Sequence, residues 1–177
     1  MSNILVVIGS ARKGRVADKI LDYIQEDING RTGIKAVIAD LKEINMPFFD
    51  NENSPASPDY APTDQHVLAW QKMVAEADGV VFITPEYNHT LSAIQKNAID
   101  SIYAEWANKP TAVVAYGWSG GSQSVTALSD ILPHIKAVFN PETAARLVFM
   151  KDINADGTII DGESVTSQIT KAINEIV

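Results

Sequence analysis

The sequence predicts an α/β fold: a doubly wound, five-stranded parallel sheet with helices on both faces. Three observations predict it. Short runs rich in β-branched residues alternate with longer stretches of helical period along the whole chain. The short runs are continuously apolar rather than alternating, which marks strands buried on both sides. The segments between them are long enough for helical crossovers, and right-handed crossovers place helices on both faces of a parallel sheet.

The elements follow in order. Asn3–Gly9, "NILVVIG", reads as the first strand. Val16–Ile28 follows as a helix, with Val16, Ile20, Ile24 and Ile28 on one face. Ile34–Leu41 "IKAVIADL", Asp78–Thr84 "DGVVFIT", Lys109–Gly117 "KPTAVVAYG" and Ala145–Met150 "ARLVFM" are the second to fifth strands. Helices are expected over Asp64–Ala77, Leu91–Ala104, Gln123–Val138 and Ser164–Ile176. Five strands in 177 residues suit a flavodoxin-like sheet in one domain spanning residues 1–177, with no repeat and no linker. The one long loop, Ile44–Asp64, is rich in Pro, Asn and Asp, and a loop of that length in a compact domain is often functional. Ligands of such sheets bind at the carboxyl ends of the strands, which directs attention to Gly9–Ala17, Met46–Tyr60, Thr84–Leu91 and Gly117–Ser122.

Composition narrows the function classes. Acidic residues outnumber basic ones, 22 to 14, for a formal net charge of -8, which argues against nucleic acid or an anionic membrane as partner. The absence of cysteine removes disulfides, thiolate metal sites and thiol catalysis. The first apolar stretch is cut short at Gly9-Ser10, too early for a signal peptide, and no run reaches membrane-spanning length, so a cytoplasmic protein is expected. His66, His89 and His134 show no metal-ligand spacing, and no metal site is expected.

Against this acidic background, "GSARKGR" places Arg12, Lys13 and Arg15 between a strand and a helix. A helix N-terminus has free backbone N–H groups and the positive end of the dipole; Ser10 adds a hydroxyl and the arginines add forked charged donors, a combination suited to phosphate. The stretch is neither G-x-G-x-x-G nor a Walker A loop. After the third strand, Pro85, Tyr87 and Asn88 combine backbone restriction, an aromatic surface and an amide, which suits a flat heteroaromatic ligand.

"YGWSGGSQS" matches the G-x-S-x-G elbow at Gly117, Ser119 and Gly121. The downstream histidine, His134, falls on the helix leading away from Ser119, and His89 has no clear orienting acid, so a hydrolase triad is not expected. The glycines instead suit close approach of backbone amides to a ligand. "DINADGTIIDGE" fits the EF-hand expression at Asp152, Asn154, Asp156, Gly157 and Glu163, but a strand precedes it where an incoming helix is needed, so a turn is the expected reading beside calcium.

In this order, "GSARKGRVADKILDYI", "INMPFFDNE", "TPEYNHTLSAIQKNAID" and "YGWSGGSQSVTAL" resemble the NAD(P)H-dependent FMN reductase family of flavodoxin-like proteins, which includes quinone, azo-dye and chromate reductases. The likeness runs from Ile4 to the end, and its specific part is G-S-x-R followed by P-E-Y-N. The resemblance implies that Ser10, Arg12 and Arg15, with the amides of Val16 and Ala17, hold the FMN phosphate. It implies that Pro85, Glu86, Tyr87 and Asn88 line the isoalloxazine ring, and that Gly117, Ser119, Gly120 and Gly121 meet its other side. It also implies an enzyme in which NADPH or NADH passes hydride to flavin N5 and a quinone or similar small acceptor is then reduced, with no side chain as obligatory catalyst. A homodimer or homotetramer using the helix from Leu91 is implied as well. The alternative is a flavodoxin-like electron carrier without its own substrate, a class that usually holds the phosphate with a Ser/Thr-rich loop. The chain departs from the family pattern at Arg15 and Ala17, where many members carry Ser and Asn, and at Ser92-Ala93 and Gln95, which replace a usual Pro-Gly and Leu.

Overall fold

A computed structural model describes residues 1–177. Its sheet contains β1 (Ser2–Ile8), β2 (Ile34–Asp40), β3 (Gly79–Pro85), β4 (Pro110–Gly117), β5 (Val138–Phe139) and β6 (Ala145–Val148). The helices are α1 (Ala17–Asn29), α2 (Leu41–Ile44), α3 (Gln65–Glu76), α4 (Ala93–Asp100), α5 (Ser122–His134) and α6 (Gly162–Ile173). All strand pairings are parallel, in the order β2-β1-β3-β4, and β4 carries two further strands along one edge. β5 pairs with Pro110 and Thr111, and β6 with Val114–Gly117. The fifth position of the sheet is thus filled by two short strands, separated by a 3-10 turn at Pro141–Thr143, where the sequence predicts one. No helix is long and apolar enough to cross a membrane.

Successive strand residues point to opposite faces, which explains why the strands read as unbroken apolar runs. Ile4, Val6 and Ile8 of β1 join one core cluster with Ile20, Ile24 and Ile28 of α1 and Val165, Ile169 and Ile173 of α6. Leu5 and Val7 join the other, with Trp70 and Val74 of α3, Ile99 of α4 and Leu128 and Leu132 of α5. Each cluster holds 21 buried residues, so the sheet is covered equally on its two sides.

Two helix ends differ from the sequence expectation. The helix expected over Leu91–Ala104 is shorter: Ser92 caps it through the Gln95 amide, it stops at Asp100, and a separate 3-10 turn at Ala104–Trp106 brings Trp106 into the core. The helix expected to reach Val138 stops at His134. There the Lys136 amide donates to the Pro133 carbonyl and the Ala137 amide to Leu132, with Lys136 at φ 66, a Schellman closure that reverses the chain into β5.

The long loop is held to α4. The Asn97 side chain donates to the Pro47 carbonyl (2.8 Å) and accepts from the Phe49 amide (2.9 Å), and the Tyr60 hydroxyl donates to the Ser101 carbonyl (2.6 Å).

Candidate functional site

The carboxyl ends of β1, β3 and β4 open into a cleft of about 350 Å³. Its first wall is the segment after β1. A Cβ at Gly9 would lie 2.9 Å from the Ile83 carbonyl oxygen, so glycine lets the chain leave β1 against β3. Ser10 is buried, and its hydroxyl shares a 2.8 Å hydrogen bond with the Tyr87 phenol. Arg12 is exposed and its side chain has no partner in the protein. α1 then begins at Ala17 with Val16 as N-cap and no side-chain cap, and the amides of Val16, Ala17 and Asp18 find no acceptor.

Arg15 behaves differently from its neighbour. Its guanidinium donates to both oxygens of Asp40, to Asp18 (2.8 Å) and to the Ser10 carbonyl (2.8 Å). The Asp40 hydrogen bond holds the Arg15 pKa above its usual range, against the opposing effect of burial. Burial by itself raises the Asp40 pKa, but the hydrogen bonds from Arg15 and the Lys42 amide outweigh it and hold the carboxyl below its usual range. The charge of Arg15 is therefore paired inside the protein, where it ties Ser10 to the start of α2, while Arg12 is the arginine of this segment without a protein partner.

The second wall follows β3. Tyr87 and Thr90 exchange backbone hydrogen bonds of 2.9 and 3.1 Å around Asn88 (φ 48) and His89 (φ 64), a turn of the I′ type with both central residues left-handed. The Glu86 carboxylate turns toward the next loop, accepting from the Gln123 amide (3.0 Å) and the Ser119 hydroxyl (3.1 Å). It thereby caps α5, which lacks a cap of its own. Ser119 donates to this carboxylate and to no histidine, so the G-x-S-x-G match forms no Ser–His pair.

The third wall follows β4. Gly117 and Trp118 line the cleft, with Trp118 73% exposed and set edge-on against Phe149 at 5.5 Å. Gly120 and Gly121 serve the fold. A Cβ on Gly120 would lie 3.0 Å from the Arg146 carbonyl oxygen, and one on Gly121 2.6 Å from the Ala115 Cβ, each at a positive φ. Their Cα atoms approach the sheet too closely for any side chain.

Of the residues expected at the site, Ser10, Arg12, Arg15, Val16, Pro85, Glu86, Tyr87 and Gly117 line the cleft together. Ala17 is buried beneath α1, Asn88 sits exposed at the tip of its turn, and Ser119, Gly120 and Gly121 lie outside the lining. Sequence reasoning missed Gly14, Tyr116, Trp118, Phe149 and Ala155. An exposed tryptophan directly after a strand end was a usable signal for Trp118. Phe149 and Ala155 carried none, because they are brought in only by the pairing of β6 with β4.

The EF-hand-like stretch has its own geometry. Asp152 is buried and accepts from the Val148 amide (2.9 Å) and the Ser164 hydroxyl (2.8 Å). Asp156 accepts from the Thr158 amide, and Asp161 caps α6. These carboxylates are engaged by hydrogen bonds within the protein, Asp152 and Asp161 both at Ser164, and no cluster of three or more potential ligands converges.

A cleft at the sheet's switch point, with free amides and a free arginine at one end and aromatic walls further along, has counterparts among known proteins. An NAD(P)H-dependent FMN reductase of Schizosaccharomyces pombe is 31% identical over 97% of this chain and 87% of its own length. One of Saccharomyces cerevisiae is 35% identical over 74% of this chain and 73% of its own. In three dimensions the chain is similar to the flavoenzyme FerB of Paracoccus denitrificans, with a TM-score of 0.77 at 24% identity over 99% of this chain and 97% of that one, a likeness of fold. The family model described as NADPH-dependent FMN reductase matches residues 2–147, which takes in all three walls built above except Phe149 and Ala155; the chain belongs to that family.

Proposed function

We propose that residues 1–177 act as one FMN-dependent reductase unit whose cofactor lies in the cleft between the ends of β1, β3 and β4. The observation that carries this reading is the open N-terminus of α1: three free amides and an unpartnered Arg12 in a protein of net charge -8. These groups suit the phosphate of FMN, and the wall from Pro85 to Tyr87 with Gly117 and Trp118 suits the flat ring. FMN supplies the two-electron relay between reduced nicotinamide and acceptor.

The chain's own residues do the holding. Ser10, Arg12 and the amides of Val16 and Ala17 bind the phosphate. Arg15 keeps Ser10 in place through Asp40. Glu86 fixes the β4–α5 segment against the β3 turn, so that the backbone beside the ring edge does not move when charge develops there. The acceptor is a small molecule, and the quinone reductases among the relatives, from Arabidopsis thaliana and Pseudomonas putida, support a quinone. The exposed Phe48 and Phe49 beside α4 support a homodimer on that face, which light scattering on the purified protein measures.

The test is spectroscopic. The purified protein, supplied with FMN, shows bound-flavin absorption that NADPH or NADH bleaches under anaerobic conditions, and a quinone restores it. A protein that takes up no FMN refutes the reading, and a bound flavin that neither nucleotide bleaches leaves an electron carrier.

A further inference from the structure

Tyr116, the penultimate residue of β4, sits opposite Pro85 in the sheet register and lines the floor of the cleft. It is 5% exposed and packs in the same apolar cluster as Val16 and Ala17 at the start of α1, with its ring 6.2 Å from that of Phe149. Ser10 is the hydrogen-bonding neighbour of its phenol, but the Ser10 hydroxyl is shared with the closer Tyr87 phenol at 2.8 Å. The one fully buried side-chain atom without a partner is Gln95 Oε1, so the Tyr116 oxygen is not sealed in the core: it is open to the cleft that the residue lines, where it can donate to a partner that enters there.

The surroundings define that partner. Burial raises the Tyr116 pKa well above the usual phenol range, although Ser10, Arg12 and Arg15 pull it down, so the phenol keeps its proton and acts as a donor. Arg12 is free and lines the cleft together with Val16, where α1 begins with the amides of Val16, Ala17 and Asp18 unoccupied. Every uncommitted group there is a donor, and an acceptor that satisfies all of them together is anionic and carries several oxygens.

We propose that Tyr116 is a ligand of the phosphate group of FMN, its phenol donating a hydrogen bond to a phosphate oxygen alongside Arg12 and the α1 amides. This rests on the FMN reading of the cleft. The role lies outside the G-S-x-R and P-E-Y-N stretches and belongs to the end of β4.

Tyr116→Phe removes only the oxygen, and riboflavin offers the same ring and ribityl chain without the phosphate. Wild type and variant are titrated with FMN and with riboflavin, followed by flavin fluorescence, and inorganic phosphate is then used to displace FMN. The variant is expected to lose about tenfold or more in FMN affinity, to match wild type for riboflavin within about twofold, and to need about tenfold more phosphate for displacement. The flavin-free variant is expected to melt close to the wild-type temperature, since the oxygen removed is open to the cleft. Unchanged FMN affinity overturns the proposal. Equal losses for both flavins also overturn it, because the phenol then acts on ring or ribityl chain, or its loss disturbs the fold. Wild-type protein that binds neither flavin overturns the cofactor reading, and this one with it.

Discussion

Replacing Arg15 by alanine separates an arginine that builds the loop from one that binds ligand. In the folded protein its side chain is 11% exposed and that of its partner Asp40 18%. Without Arg15, Asp40 keeps only the Lys42 amide (3.0 Å), and the Ser10 carbonyl loses its donor. Breaking a fully buried pair costs about 3–5 kcal/mol and breaking an exposed one under about 1. Bidentate geometry at this partial burial places Arg15→Ala near ~2 kcal/mol of lost stability. Asp40→Asn costs somewhat less, because the amide oxygen still accepts from Lys42. The double variant falls short of the sum by about 1 kcal/mol, the coupling of the pair. The pH dependence has a definite sign. The folded Asp40 carboxyl titrates below its usual range, so its contribution is present above the unfolded value near ~4 and is lost as pH falls through the folded one; the gap between wild type and Asp40→Asn therefore narrows on acidification below about pH 4. Urea unfolding of the flavin-free proteins at pH 7 and at steps down to about pH 3.5 measures these quantities. In FMN titrations Arg15→Ala and Asp40→Asn weaken binding by similar factors, since both act through the loop, while Arg12→Ala costs about tenfold or more. An Arg15→Ala protein with an unchanged urea midpoint, and an FMN loss as large as that of Arg12→Ala, would make Arg15 a phosphate ligand and refute the reasoning.

Three further substitutions test other parts of the structure. Gly121→Ala puts a Cβ 2.6 Å from Ala115 at φ 71, and is expected to lower stability by about 2–4 kcal/mol with or without FMN; a loss seen only with flavin bound would return this glycine to the ligand site. Gln95 is fully buried, with Nε2 on the Thr84 hydroxyl (3.0 Å) and Oε1 without a partner, so Gln95→Leu is expected to raise the urea midpoint by the equivalent of about 1 kcal/mol; a drop of that size shows that the amide is satisfied. Asp152→Ala leaves the Val148 amide unpaired and is expected to cost about 2–3 kcal/mol, while millimolar calcium leaves the wild-type melting temperature unchanged; a clear rise with calcium would give the loop a metal role.

What was legible in the sequence follows from which interactions are local. β1, β3 and β4 and the buried stripe of α1 could be read because burial on two faces, or on one helical face, imprints a pattern on consecutive residues. The end of α5 could not, because a lysine occupies the left-handed position where a glycine would have announced it. β5 is two residues long and exists only through its pairing with Pro110 and Thr111. The site divides in the same way. Ser10, Arg12, Tyr87 and Gly117 stand directly after strands and carry their signal with them. The pairing of Arg15 was not legible, because nothing nearby in sequence reveals Asp40, 25 residues on, as its partner. The demand of the fold for glycine at positions 120 and 121 was not legible, since the atoms that impose it, on Ala115 and Arg146, become visible only with the sheet register.

The orientation of an anionic ligand follows from how the helix N-termini are finished. α2, α3, α4 and α6 are capped by Asp40, Asp64, Ser92 and Asp161, leaving α1 and α5 without caps of their own, and both of these begin beside the cleft. They are not equivalent. Glu86 lends its carboxylate to the Gln123 amide, so the positive end of α5 is already met by a negative charge. A phosphate placed there would face that carboxylate. At α1 the only nearby carboxylate pair, Asp18 and Asp40, is held by Arg15, and the amides and Arg12 remain open. One fold therefore offers two dipole ends, and the protein's own acid closes one of them. On the proposed reading of the cleft, the charged end of the cofactor goes to α1 and Tyr116 and the uncharged ring to the stretch between Pro85 and Trp118, where the one carboxylate, Glu86, is already engaged by Ser119 and Gln123.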